Sequence, residues 1–180
     1  MAISKIVFYG RTQVGLIALL YLLAKEKKIS VIPEDNIIKN AIKIFDLEET
    51  SFDNLKDFDL FICCHGRKIL PESMLIKNKF INIHPCLFKY KGHDPIKRYM
   101  HNKDTKASVE SHYMEKEVDC GEIIESLFFE TPVVNSYEQF YMIALPYYLD
   151  CISKTLDKVE KRREIIKKRS KGNYVPLMQR

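Results

Sequence analysis

The sequence predicts an α/β fold: a Rossmann-like, doubly wound, mostly parallel sheet in a single domain. Three observations carry this. Short apolar runs alternate with longer amphipathic stretches, the pattern of strands separated by crossover helices. The run at 60–64 is continuously apolar, as a central parallel strand buried on both faces must be. A chain of 180 residues is long enough to bury one substantial core.

The first strand is expected over 5–9. An amphipathic helix over 14–27 follows, with Thr12 as its N-cap. A second short strand spans 29–32 and stops at Pro33. Residues 34–43 read as a helix, and 44–45 as a short strand. After the central strand at 60–64, a short helix over 71–77 leads to a buried strand over 80–84, ended by Pro85. A helix over 94–102 has Asp94 as cap and Pro95 in its first turn. Strands over 107–114 and 122–130 alternate well. The long helix over 136–168 should kink at Pro146, and a tail begins at 172. Residues 1–135 would form the core, with 136–180 a C-terminal helix and tail packed on it.

Composition excludes several classes. No apolar run approaches the roughly 20 residues that span a bilayer, and the N-terminus runs directly into a strand without a signal-peptide pattern. A cytoplasmic protein without a membrane partner is expected. Five cysteines lack metal or disulfide spacing, so reduced, mostly buried thiols are expected. The histidines besides His84 (His65, His93, His101 and His112) are not spaced as metal ligands, and they read as surface or core residues, with His65 and His93 in loops expected to rim the pocket. Much of the net charge of +5 lies in Lys158, Lys161, Arg162, Arg163, Lys167, Lys168, Arg169 and Lys171. No aromatics interleave that run, so it reads as a solvated helix face and not as a nucleic-acid arm.

The chemistry concentrates in Asn82-Ile83-His84-Pro85-Cys86-Leu87 and Val118-Asp119-Cys120-Gly121-Glu122-Ile123-Ile124. Side chains two apart on a strand share a face, so Asn82 and His84 project together at a carboxyl end, where open α/β sheets hold ligands. Asp119 follows a second strand and closes the set. Asn82 can donate to a developing oxyanion, a contact that lowers a barrier by about 3–4 kcal/mol. His84 exchanges protons near neutral pH, and Asp119 orients it. This chemistry suits acyl-type transfer to an amine. Upstream, Gly10-Arg11-Thr12-Gln13-Val14-Gly15 has two glycines at an interval that does not match a dinucleotide fingerprint. It is either a plain strand-to-helix turn or an anion site at a helix N-terminus with Arg11 on a phosphate.

The composite resembles the formyltransferases that use 10-formyltetrahydrofolate. The resemblance runs from about Lys5 to Phe129. Its specific part is Asn-x-His-Pro-x-Leu at 82–87, Tyr90-Lys91-Gly92, the run Ser108 to Met114, and Val118-Asp119-x-Gly121-x-Ile123-Ile124. Cys86 stands where serine is usual, and Phe88-Lys89 replaces Leu-Pro. The resemblance implies a formyltransferase fold, Asn82, His84 and Asp119 as catalytic residues, and 10-formyltetrahydrofolate as formyl donor with no metal. It further implies that Lys68, Ile69 and Leu70, within Gly66-Arg67-Lys68-Ile69-Leu70-Pro71, and Glu115 and Val118 bind the folate.

Three acceptor amines come with the resemblance. Initiator tRNA is disfavoured, because those enzymes carry a further C-terminal domain and this chain ends soon after one core. Glycinamide ribonucleotide is second, because Gly10-Arg11-Thr12 stands where that enzyme has Gly-Ser-Asn. The segment from Pro85 to Ile96 looks most like enzymes that formylate nucleotide-linked amino sugars, such as 4-amino-4,6-dideoxyhexoses for surface polysaccharide. The expected partner is therefore a small phosphorylated amine held by Arg11, Lys89, Tyr90 and Lys91. A homodimer is left open, as is a folate- or nucleotide-sugar-binding protein without turnover.

Overall fold

The computed structural model describes residues 3–76 and 78–170. The predicted tail from 172, Lys77 and the side chains of Lys168, Arg169 and Lys171 lie outside the described residues. The sheet is seven-stranded, in the order β3-β2-β1-β4-β5-β6-β7. β1 (Lys5–Gly10), β2 (Lys28–Pro33), β3 (Glu48–Glu49), β4 (Leu60–Cys64) and β5 (Phe80–Pro85) are parallel. β6 (Lys106–Tyr113) and β7 (Ile123–Glu130) are antiparallel. The helices are α1 (Thr12–Ala24), α2 (Asn36–Ile44), α3 (Pro95–His101) and α4 (Tyr137–Ser170). The order reverses between β1 and β4, the switch point of a doubly wound sheet.

Strand alternation builds two unequal layers. Ile6 and Phe8 of β1, Leu60, Ile62 and Cys64 of β4, and Ile81 and Ile83 of β5 face the helical layer. There they meet Leu19 and Leu22 of α1, Ile38 of α2, Tyr99 of α3 and Phe140, Tyr148 and Ile152 of α4. Each such side chain stabilises the fold by about 1.5–3 kcal/mol when fully buried. The opposite face carries Val7, Tyr9, Phe61, Cys63 and Phe80. It is covered by the 3-10 turns Phe52–Asn54 and Glu72–Met74 and their neighbours Leu55, Phe58 and Leu75. The short helix expected over 71–77 is this single turn. A site on this face is roofed by loops, which can be shaped to a ligand.

Other expectations are corrected. Arg11, not Thr12, holds the N-cap position of α1. The Thr12 amide donates to Asp35 Oδ2 at 2.7 Å, while Asp35 Oδ1 accepts from Ile38 N at 3.0 Å. One carboxylate thus serves the starts of α1 and α2, where a hydroxyl was expected to serve one; the Thr12 hydroxyl is left buried without a partner. The strand expected at 44–45 is the end of α2, where Phe45 N bonds to Ala41 O at 3.0 Å. The buried face of α2, Ile38, Ala41 and Ile42, keeps this segment helical, and the strand begins at Glu48. Asp94 holds the N-cap position of α3, but its side chain makes no cap bond; its Oδ2 lies 3.1 Å from His93 Nδ1.

α4 runs continuously through Pro146. Several of its basic residues pair with the sheet while staying partly solvated: Lys158 with Glu125 at 2.9 Å, Arg162 with Glu122 at 2.9 Å and Arg163 with Asp59 at 3.5 Å. Glu160 of the same helix accepts from Ile3 N at 2.9 Å and pairs with Lys27 at 3.2 Å. Among the described residues no helix is long and apolar enough to cross a membrane.

Candidate active site

β1, β4 and β5 end in one row. Gly10 pairs with Cys64 and Cys64 with Ile83, so the next residues along, Arg11, His65 and His84, lie side by side at the carboxyl edge. Strand spacing makes the row roughly 10 Å from end to end. The chain leaves each strand through a non-glycine residue with positive φ: Thr12 at 63°, His65 at 66° and Cys86 at 54°. Backbone of this kind costs on the order of 1–3 kcal/mol per residue and clusters at sites.

Asn82 and His84 extend from β5 toward the loop-covered face, in phase with Phe80. In the antiparallel pairing with β6, Asn82 stands opposite His112 and His84 opposite Glu110, and opposed residues share a face. The connection from β6 to β7 folds over this face and carries Asp119, with φ of 55°. Asp119 Oδ2 lies 3.0 Å from His84 Nε2, and Oδ1 accepts from Asn82 Nδ2 at 3.4 Å. The Gly92 amide donates to Oδ2 at 2.8 Å. The structure therefore brings Asn82, His84 and Asp119 together.

Burial raises the Asp119 carboxyl pKa, but His112, His84 and the Gly92 amide more than offset this and hold it well below the usual carboxylate range. It is a fixed negative charge. Gly121 lets the loop close: a Cβ there would lie 1.8 Å from the Tyr113 carbonyl oxygen. His84 Nδ1 is buried with no partner. Buried polar atoms are nearly always paired, so this nitrogen marks where a ligand group would complete the site.

His112 is the residue that the sequence reading missed. Its Nδ1 donates to Tyr113 O at 2.9 Å, which turns Nε2 toward Asp119 Oδ1 at 3.3 Å, without the angle of a hydrogen bond. The register that places His112 opposite Asn82 is the signal, and it exists only once the two strands are paired. Glu110, also buried, anchors the turn after β5. It accepts from Phe88 N at 2.7 Å, Ser108 Oγ at 2.6 Å and Ser126 Oγ at 3.0 Å.

The remaining predicted residues divide. Tyr90 is buried, with its hydroxyl committed to Asp104 and Asn102, and Lys89 gives its ammonium to Asp104 at 2.8 Å. Lys91 stays near the triad, 3.4 Å from the exposed Cys120 Sγ. The Lys68 amide donates to Tyr9 Oη at 3.0 Å, and its ammonium sits over Phe52 at 4.2 Å. The Ile69 and Leu70 amides make no hydrogen bond among the described residues, which leaves them able to meet a flat heterocycle. Ile69 and Val118 are exposed apolar side chains, Leu70 is buried and Glu115 is exposed. Burial pushes the Cys86 thiol up to about 11 and Cys63 to about 12, so neither is a nucleophile near neutral pH. Among the described residues no group of three His, Cys, Asp or Glu side chains could hold a metal.

A family model described as formyl transferase matches residues 24–140. Methionyl-tRNA formyltransferase of Campylobacter jejuni subsp. doylei is 35% identical over 100 residues, which are 54% of this chain and 33% of that protein. The chain thus spans about a third of the length of the curated relatives it matches. Among solved structures, an N-formyltransferase from Helicobacter canadensis, in complex with folinic acid and dTDP-3-aminofucose, superposes with a TM-score of 0.76 at 19% identity. The match covers 88% of this chain and 65% of that one. Phosphoribosylglycinamide formyltransferase from Streptococcus pneumoniae superposes at 0.69 with 14% identity, covering 86% and 97%. At these identities the superpositions speak to fold.

Proposed function

Because this chain belongs to the formyl transferase family, we propose that it moves a formyl group from 10-formyltetrahydrofolate to the amine of a nucleotide-linked amino sugar. The observation that carries the reading is the bonded set of Asn82, His84 and Asp119 at the carboxyl edge, with one His84 nitrogen left open. Folate supplies the formyl carbon. The neutral amine attacks it, and the carbonyl electrons move to oxygen. Asn82 Nδ2–H and protonated His84 hold that oxyanion. When the adduct collapses, the bond to folate nitrogen breaks, and the amine proton passes to that nitrogen with Asp119 as the nearby charge. Alignment of the two substrates supplies much of the rate.

Nucleotide sugar is preferred on the Pro85 to Ile96 segment, and the Helicobacter canadensis superposition supports it. The 35% identity to methionyl-tRNA formyltransferases supports a second reading, in which the acceptor is an aminoacyl amine. The test offers 10-formyltetrahydrofolate with thymidine- and uridine-linked amino sugars, glycinamide ribonucleotide and methionyl-tRNA in parallel. Turnover confined to the sugars is expected. Turnover of either other acceptor with all sugars inert would replace the reading.

A non-reactive folate analogue should bind without acceptor and raise the melting temperature by mass action on the native state. No shift at saturation with folded protein would remove folate from the scheme. His112→Leu, of similar side-chain volume, deletes both nitrogen contacts. It should lower kcat about 10-fold with KM little changed, because it loosens Asp119 and not the acceptor. An unchanged kcat would reduce His112 to packing.

A further inference from the structure

The positive φ of His65 turns its ring out of strand alternation and against α4. There His65 Nε2 lies 2.8 Å from Tyr148 Oη, and His65 Nδ1 lies 3.4 Å from Tyr141 Oη. Tyr141 and Tyr148 are seven residues apart, two turns of one helix, so both rings face the sheet edge. Tyr148 is fully buried, and among the described residues His65 is the hydrogen-bond partner of its hydroxyl. A buried hydroxyl with one partner satisfies its hydrogen by donating. Tyr148 therefore donates to Nε2. Burial, with the charges of His84 and Arg11, lowers His65 to about 3, so the ring is neutral at neutral pH and its one hydrogen is on Nδ1. That hydrogen points to Tyr141 Oη, and the Tyr141 hydroxyl hydrogen is directed elsewhere.

Tyr141 is partly exposed, and the charge of Arg11 reaches both it and His65. Arg11 and His65 are neighbours in the row that ends at His84. A guanidinium and an outward hydroxyl hydrogen are both donors, which selects an anionic oxygen. The row is roughly 10 Å long, a span that fits a phosphoryl group at one end and an amine at the other. Asp94 is the carboxylate whose charge reaches Tyr141, and it is engaged with His93 at 3.1 Å.

We propose that Tyr141 donates its hydroxyl hydrogen to a phosphoryl oxygen of the acceptor beside Arg11, in a direction fixed by the buried chain Tyr148 to His65 to Tyr141. This rests on the reading of a phosphorylated acceptor. Tyr141 is then a binding residue, and His65 and Tyr148 are positioning residues.

Nitrogen NMR of the His65 ring and calorimetric titration with thymidine diphosphate test the proposal. At pH 7 the wild-type ring should be the Nδ1–H tautomer, and Tyr148→Phe should shift it toward Nε2–H. Tyr141→Phe, which keeps the ring packing, should weaken thymidine diphosphate about 10-fold and leave folate-analogue affinity unchanged. Tyr148→Phe should weaken the diphosphate about 3-fold. An Nε2–H ring in the wild type, or Tyr141→Phe binding like wild type while Arg11→Ala does not, overturns the tyrosine proposal alone. A wild type that binds the folate analogue but neither thymidine diphosphate nor inorganic pyrophosphate overturns both the proposal and the phosphorylated-acceptor reading.

Discussion

Replacing His84 by alanine lowers kcat by at least ~100-fold while the protein stays folded, and Asn82→Ala does the same. A hundredfold is about 2.7 kcal/mol of barrier, within the range of one lost oxyanion donor. Asn82 has an amide hydrogen on Asp119 at 3.4 Å, a long contact that can be exchanged for a better acceptor as charge develops. His84 has one nitrogen fixed by Asp119 at 3.0 Å and the other open. Neither side chain belongs to either apolar cluster, so truncation should not unravel the sheet. Single-turnover rates with saturating donor, beside melting curves, check this. A folded variant of either residue at near-normal turnover would dismiss the assigned chemistry.

Asp119→Asn should lower turnover by a similar factor through charge alone. The amide keeps the shape, but the partner that stabilises an imidazolium at His84 is gone. Stability gives a separate reading. The Asp119 pKa is depressed in the folded protein, so its contribution is fully present above the unfolded value near 3.9. That contribution drains away as pH falls through the folded value. Wild type should therefore lose stability on acidification below about pH 4, and the variant should show a shallower acid slope. Denaturant melts between pH 2 and 7 measure both. Equal slopes would mean that the carboxylate is not held as its contacts imply, and unchanged turnover would make Asp119 structural.

The sheet was legible because its signals are local. The apolar run at 60–64, the strand with Asn82 and His84, and Pro95 at a helix start each read directly. The misreadings came where a distant group won a local contest. Asp35 accepts the amide of Thr12 and serves the start of α1 where the Thr12 hydroxyl was expected to, and Asp104 holds the Lys89 and Tyr90 side chains expected to meet substrate. The role of His112 and the α4 partners of His65 were hidden for another reason. One depends on the register between β5 and β6, the other on a left-handed residue that breaks alternation. Neither is encoded in spacing along the chain.

The way α4 is fastened has a consequence for biosynthesis. The last described helix supplies Phe140, Tyr148, Ile152 and Val159 to the main core, and Glu160 and Arg163 clamp Ile3, Lys27 and Asp59. These contacts join residues more than 100 positions apart in the chain. While the chain is still on the ribosome, β1, β4 and β5 can pair and gain cover from α1, α2 and α3, but the part of that face that α4 covers stays open until residues beyond 160 have emerged. A nascent chain stalled before residue 137 would leave the apolar sides of Ile83, Val109 and Phe129, on the strands that α4 packs against, open to solvent or to a chaperone. The His65 side of the site, which rests on Tyr141 and Tyr148 of α4, is therefore assembled after the strand that carries Asn82 and His84.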